Sequence, residues 1–159
     1  MRISVVLPVL LLALASPRLW AAQGSETLCT PLRAFAASVQ KGETKSIEFH
    51  TSWLADFKGG NPKTIGAFTR CSDHGYAPAQ AVCSYLSNNG AVEFAGINAK
   101  DALVCLLPGT KFGQRRLMVD ALDVSFYYGT QQRGSNISIR FEPDQKMGGM
   151  VLTIVADGY

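Results

Sequence analysis

Leu122-Asp123-Val124-Ser125-Phe126-Tyr127-Tyr128, then Ile137-Ser138-Ile139-Arg140-Phe141-Glu142, is the stretch that decides the fold. Leu122, Val124, Phe126 and Tyr128 alternate with polar residues, as do Ile137, Ile139 and Phe141. A period of two puts every second side chain on one face, so each run reads as a half-buried strand. The connector from Gly129 to Ser135 is short enough for a hairpin. A third run rich in Val, Ile and Leu, from Met150 to Ala156, follows the turn-forming Pro143 to Gly149, giving a C-terminal antiparallel meander of three strands. Met118 and Asp120 are out of phase with Leu122, which a bulge would accommodate.

Working upstream, the period lengthens. Asn98, with Asp101 three residues on, reads as the cap of a helix through Leu107 whose apolar face is Ala102, Leu103 and Leu106, stopped by Pro108-Gly109. Pro78 opens another helix, with Ala79, Val82, Cys83 and Leu86 on one face and Asn89-Gly90 as its stop. Leu54 to Ala67, centred on Gly59-Gly60-Asn61-Pro62, has the composition of a long surface loop. Before it, Ile47, Phe49, Thr51 and Trp53 alternate with Ser46, Glu48, His50 and Ser52, a fourth strand that directs His50 to its polar side. Thr30-Pro31 reads as a cap with proline at the first helical position, and Leu32, Phe35, Ala36 and Val39 share one face before Gly42. The expected fold class is α+β, an antiparallel sheet of about four strands with two to three helices packed on one face.

The first 22 residues stand apart. Met1-Arg2 is followed by an apolar run from Ile3 to Leu12 and then by small residues, the three regions of a secretory signal peptide. Pro17 and Arg18 end the run well short of the roughly twenty residues that a membrane span requires. Ala13-Leu14-Ala15 and Trp20-Ala21-Ala22 both offer small-residue cleavage sites, and the better spacing favours a cut after Ala22. Cys29 lies too far from the apolar run for lipid attachment, so no membrane anchor is expected after cleavage. The rest, residues 23–159, has the size of a single domain and carries no internal repeat or low-complexity tract.

Charge narrows the partners. The formal net charge of +3 falls by two when Arg2 and Arg18 are removed, and no basic cluster is longer than Arg115-Arg116. Nucleic-acid affinity is built mainly on phosphate neutralisation, so no nucleic-acid partner is expected. Cys29, Cys71, Cys83 and Cys105 form an even set in an exported chain, which reads as two disulfides. They are too widely spaced for the close ligand pairs of a zinc site, and neither a metal nor a cofactor is expected. The expected pairing is Cys71 with Cys83 and Cys29 with Cys105; the competing one joins Cys83 to Cys105 and Cys29 to Cys71.

Catalytic signatures are sparse. The chain has two histidines, and Asp73 and His74, as sequence neighbours, do not form the relay of a hydrolytic triad. No nucleophile elbow, metalloprotease helix, Walker loop or dinucleotide fingerprint occurs. Asp120 and Asp123 point to opposite faces of a strand, which removes them as a paired-acid site, and Glu48 and Glu93 read as solvated. Asn136-Ile137-Ser138 is a sequon that matters only in a eukaryotic secretory pathway.

Two readings of function remain. The favoured one is an exported, non-enzymatic binding protein, periplasmic or secreted, whose partner is another protein: an inhibitor or immunity protein that blocks a cell-wall hydrolase or toxin. The alternative is a small periplasmic hydrolase with a site assembled from dispersed residues. For binding, the hairpin tip offers Gln131, Gln132 and Arg133, with Arg133 as the anchor for a catalytic carboxylate. The polar turn from Cys71 to Tyr76 adds Asp73 and His74, beside a disulfide that would hold them in place.

Overall fold

The computed structural model describes residues 27–61, 63–112 and 117–159; the expected signal peptide and its expected cleavage site lie outside them. Among the described residues, three helices and five strands follow one another as α1 (Cys29–Ser38), β1 (Thr44–Trp53), β2 (Ala67–Ser72), α2 (Ala77–Asn89), α3 (Gly96–Leu106), β3 (Leu122–Gly129), β4 (Gly134–Pro143) and β5 (Met150–Gly158). The strands make one antiparallel sheet in the order β2-β1-β5-β4-β3. β3, β4 and β5 are the meander, and β1 pairs with β5 to extend it. No helix among the described residues is long and apolar enough to cross a membrane.

The core lies between the sheet and the helices. Ile47 and Phe49 of β1, Leu152 and Ile154 of β5, and Ile137, Ile139 and Phe141 of β4 meet Leu32 and Phe35 of α1, Val82 and Leu86 of α2, and Leu103 and Leu106 of α3. All of these except Leu152 and Ile154, which belong to the apolar run of β5, are residues that the two periodicities assign to the apolar faces. At roughly 1.5 to 3 kcal/mol for each fully buried large apolar side chain, their burial is the main force holding the layers together. The opposite sheet face, with Ser125, Ser138, Arg140, Thr153 and Glu48, is polar and lies away from the described helices.

The disulfides are Cys29–Cys105, tying α1 to the end of α3, and Cys71–Cys83, tying β2 to α2. No described cysteine is free.

Several local expectations are corrected. α1 starts at Cys29 and its N-cap is Leu28, not Thr30, with no side-chain cap bond. Leu28 is buried, so core packing draws the chain into the helix one residue before the polar cap signal. Asn98 is no cap either. α3 begins at Gly96, and buried Asn98 uses its amide to bond both the N–H and the C=O of Ala91, locking the α2–α3 connection. Gly96 can start the helix there because a Cβ would collide with the Val119 carbonyl.

β2 is the strand beyond the four expected, and it takes Cys71 and Ser72 out of the supposed polar turn. Most of its residues are exposed or half-exposed, so its alternation is faint; pairing of Trp53 to Glu48 with Ala67 to Ser72 and the anchoring disulfide hold it in the sheet. The bulge expected near Asp120 is unnecessary, since β3 begins only at Leu122.

The segment between β1 and β2 is tied down at several points. Leu54 N–H donates to Gly66, Lys58 N–H to Met147, and Asp56 accepts from the N–H groups of Phe57 and Asn61. Phe57 is buried beneath the guanidinium of Arg70, 5.3 Å from the ring centre.

Candidate functional site

The β3–β4 connection is short and closed by its own hydrogen bonds. Thr130 N–H donates to the Arg133 carbonyl at 2.9 Å, and Arg133 N–H donates to Thr130 Oγ1 at 3.2 Å. Gly129 enters the turn at a φ of +111°, where a Cβ would press on the Arg133 carbonyl, so the position demands glycine.

The C-terminal residue braces this tip from the side. Tyr159 donates its N–H to the Gly134 carbonyl and its hydroxyl to the Thr130 carbonyl, each at 3.1 Å. Its ring stands edge-on to Tyr127, with centroids 6.1 Å apart. At the base of the hairpin, buried Ser135 donates its hydroxyl to the Ala36 carbonyl of α1. Gln131, Gln132 and Arg133 are exposed at the summit. A hollow of about 380 Å³ lies on one side, lined by Tyr127, Thr130, Gln131 and Tyr159, and one of about 480 Å³ on the other, lined by Ala36, Val39, Tyr128 and Arg133. Tyr127 is 79% exposed, an unusual state for so large an aromatic.

Asp73 and His74 form the turn between β2 and α2. Asp73 accepts the Gly75 N–H on its carboxylate and the Tyr76 N–H on its carbonyl, and His74 takes the left-handed backbone at φ +50°. Both line a shallow hollow with Thr44, Lys45 and Tyr76, where the Lys45 ammonium sits 5.0 Å from the Tyr76 ring centre. This turn and the hairpin tip lie at the same end of the sheet, since β2 ends, β3 ends and β4 begins there. They stand at opposite edges, four strand spacings or about 19 Å apart. The sequence-predicted residues therefore share one rim and form no single pocket.

His50 is held elsewhere, on the sheet face away from the core helices. Its Nδ1 lies 2.7 Å from Asp144 Oδ2 and its Nε2 lies 3.6 Å from Glu48. Against a carboxylate, which only accepts, Nδ1 is the donor of this bond. Asp144 Oδ1 accepts the N–H groups of Lys146 and Met147, closing the β4–β5 turn. Burial works against the charged form of Asp144, but the Met147, His50 and Lys146 hydrogen bonds outweigh it and hold the carboxyl below its usual range.

The opposite end of the sheet carries a groove that sequence reasoning missed. Trp53, Phe94, Met118, Val119, Phe141 and Met150 line a hollow of about 460 Å³ with Glu93 and Asp120 also in its lining. Its residues come from five separate segments, and only the partial exposure of Trp53, Phe94 and Met118 distinguishes them from core. No periodic signal in the sequence assembles such a set.

Compared with known proteins, the chain matches no family model, no curated protein and no solved structure.

Proposed function

We propose that this chain is an exported, non-enzymatic binding protein that seats the β3–β4 tip in a cleft of another protein, as a periplasmic inhibitor or immunity protein of a cell-wall hydrolase or toxin. The observation that carries this reading is the bracing of the tip by Tyr159 and by its own Thr130–Arg133 bonds. A loop fixed before binding loses little conformational freedom on binding, so more of its contact energy appears as affinity. Arginine and tyrosine are also the side chains that most often dominate protein interfaces, and Arg133 and Tyr127 stand exposed on or beside this tip. Arg133 suits a carboxylate in the partner's cleft, where a bidentate pair gives both strength and orientation.

The hydrolase reading draws on the His50–Asp144 contact, which has the look of a base and its orienting acid. The second nitrogen of His50 faces Glu48 instead of a hydroxyl or thiol, and all four cysteines are in disulfides. That environment favours a clamp on the β4–β5 turn over an activating base.

The test is comparative capture. The parent protein and the Gln132→Ala, Arg133→Ala double variant are immobilised and exposed to the periplasmic extract of the producing cells, and affinity for the captured protein is then measured. The double variant should keep the parent's Tm and bind at least about 2 kcal/mol more weakly. Equal affinity would remove the tip from the interface, and the segment from Asp56 to Lys63 would be substituted next.

A further inference from the structure

The two edges of the sheet differ in how they are protected. β2, at one edge, has six residues, carries the charged Arg70 and is fastened to α2 through Cys71. β3, at the other, runs eight residues without proline, lysine or arginine, and no described strand pairs with its outer side. Natural proteins usually blunt such an edge with charge, proline, a bulge or brevity, because its free N–H and C=O groups are a template for another strand.

The orientation of those groups follows from the hairpin. Thr130 N–H bonds the Arg133 carbonyl, so alternation turns the backbone groups of Tyr128, Phe126, Val124 and Leu122 toward β4. The N–H and C=O of Asp123, Ser125 and Tyr127 therefore point outward.

We propose that the outer edge of β3 pairs antiparallel with β3 of a second copy of this chain, about a two-fold axis at Ser125. This inference is independent of the role given to the hairpin tip. Centred on Ser125, the pairing sets Asp123 opposite Tyr127 of the second copy and Ser125 opposite Ser125 of the second copy. All three outward-facing residues then sit in hydrogen-bonded pairs, for about six new backbone bonds. No two like charges face each other in this register. On the helix side, Val124 meets Phe126 of the second copy and Leu122 meets Tyr128 of the second copy, pairs of the aliphatic–aromatic kind that stabilise sheets. Those four side chains are only partly buried in one copy, so each has apolar surface left to cover. The self-complementarity of this short segment is what selects a second copy as the occupant of the edge.

The result is one ten-stranded sheet with both helix layers on the same side and the two hairpin tips at opposite ends of the central β3–β3 seam.

The experiment uses the mature, disulfide-bonded protein. Sedimentation equilibrium over a range of concentrations should show a reversible monomer–dimer equilibrium. Ser125→Pro removes one outward N–H without touching the β4 ladder, and it should abolish the dimer. Because proline also restricts the backbone of the strand itself, cysteine variants give a second reading. Residues at a two-fold within a hydrogen-bonded pair lie about 5.5 Å apart at Cα, inside the range a disulfide spans. Mild oxidation should therefore cross-link Ser125→Cys and leave Asp123→Cys uncross-linked. A protein that stays monomeric throughout, a dimer that survives Ser125→Pro, or equal cross-linking of the two cysteine variants would overturn the proposal.

Discussion

Asp144 has both carboxylate oxygens engaged, one by two backbone N–H groups of its own turn and the other by His50 from the neighbouring strand β1. The same residue therefore shapes the β4–β5 turn and fastens it to β1. Gly149 completes the arrangement at φ +75°, where a Cβ would strike the Thr51 carbonyl. The acid response follows from the direction of the Asp144 shift. An acid whose folded pKa is depressed contributes stability that is full above its unfolded value, near 3.8, and is lost as pH falls through the lower folded value. The urea midpoint should thus drop between neutral pH and pH near 3, and the drop should be smaller in Asp144→Asn. At neutral pH Asp144→Ala should cost about 1 to 3 kcal/mol, because it strands the His50 N–H and two turn amides. An Asp144→Asn protein with the full acid-induced drop would mean that other carboxylates govern that limb.

Among the elements, β4 offers the sharpest test of phase. Ile139 is completely buried between the sheet and the helices, whereas Ser138 faces away from them and shares a hydrogen bond with Ser125. Ile139→Asp would bury an unpaired carboxylate and should unfold the domain or leave it severely destabilised, while Ser138→Asp should change the thermal midpoint little. Circular dichroism melts of the two variants decide it, and equal losses would contradict the register. β1, β3 and β4 were legible from their alternation, because one face of each is committed to the core, and β5 from its run rich in Val, Ile and Leu. β2 was not, since it is an exposed edge strand whose pairing with β1 and disulfide hold it more than its own pattern does. Helix positions were legible to within a turn, but the starts of α1 and α3 were not, because burial of Leu28 and Asn98 overrode local capping preferences. The hairpin tip could be placed from its two flanking strands. Its bracing by Tyr159, and the groove around Trp53 and Phe94, depend on contacts between segments far apart in sequence.

At the scale of the whole molecule, α1 is the helix through which the helical layer holds together, since both α2 and α3 pack on it. It reaches the sheet mainly through β4. Two further links reinforce it: the Cys29–Cys105 disulfide and the hydrogen bond from Arg33 Nε to the Cys105 carbonyl at 2.8 Å. The other disulfide, Cys71–Cys83, spans a separation of only 12 residues against 76 for the first. A cross-link stabilises chiefly by restricting the unfolded chain, and the restriction grows with the logarithm of the loop it closes. On that account the long bridge contributes about 4.5 kcal/mol and the short one about 3 kcal/mol. The Cys29→Ala, Cys105→Ala pair should therefore lose more stability than the Cys71→Ala, Cys83→Ala pair, by roughly 1 to 2 kcal/mol in denaturant unfolding. Mass mapping of the parent under non-reducing conditions should return the two assigned pairs and no free thiol. The short bridge, however, also anchors edge strand β2, whose exposed residues add little packing of their own. If its removal costs as much as removal of the long one, the native anchoring of β2 outweighs the loop entropy, and amide exchange in Ala67 to Ser72 should then rise selectively in that variant.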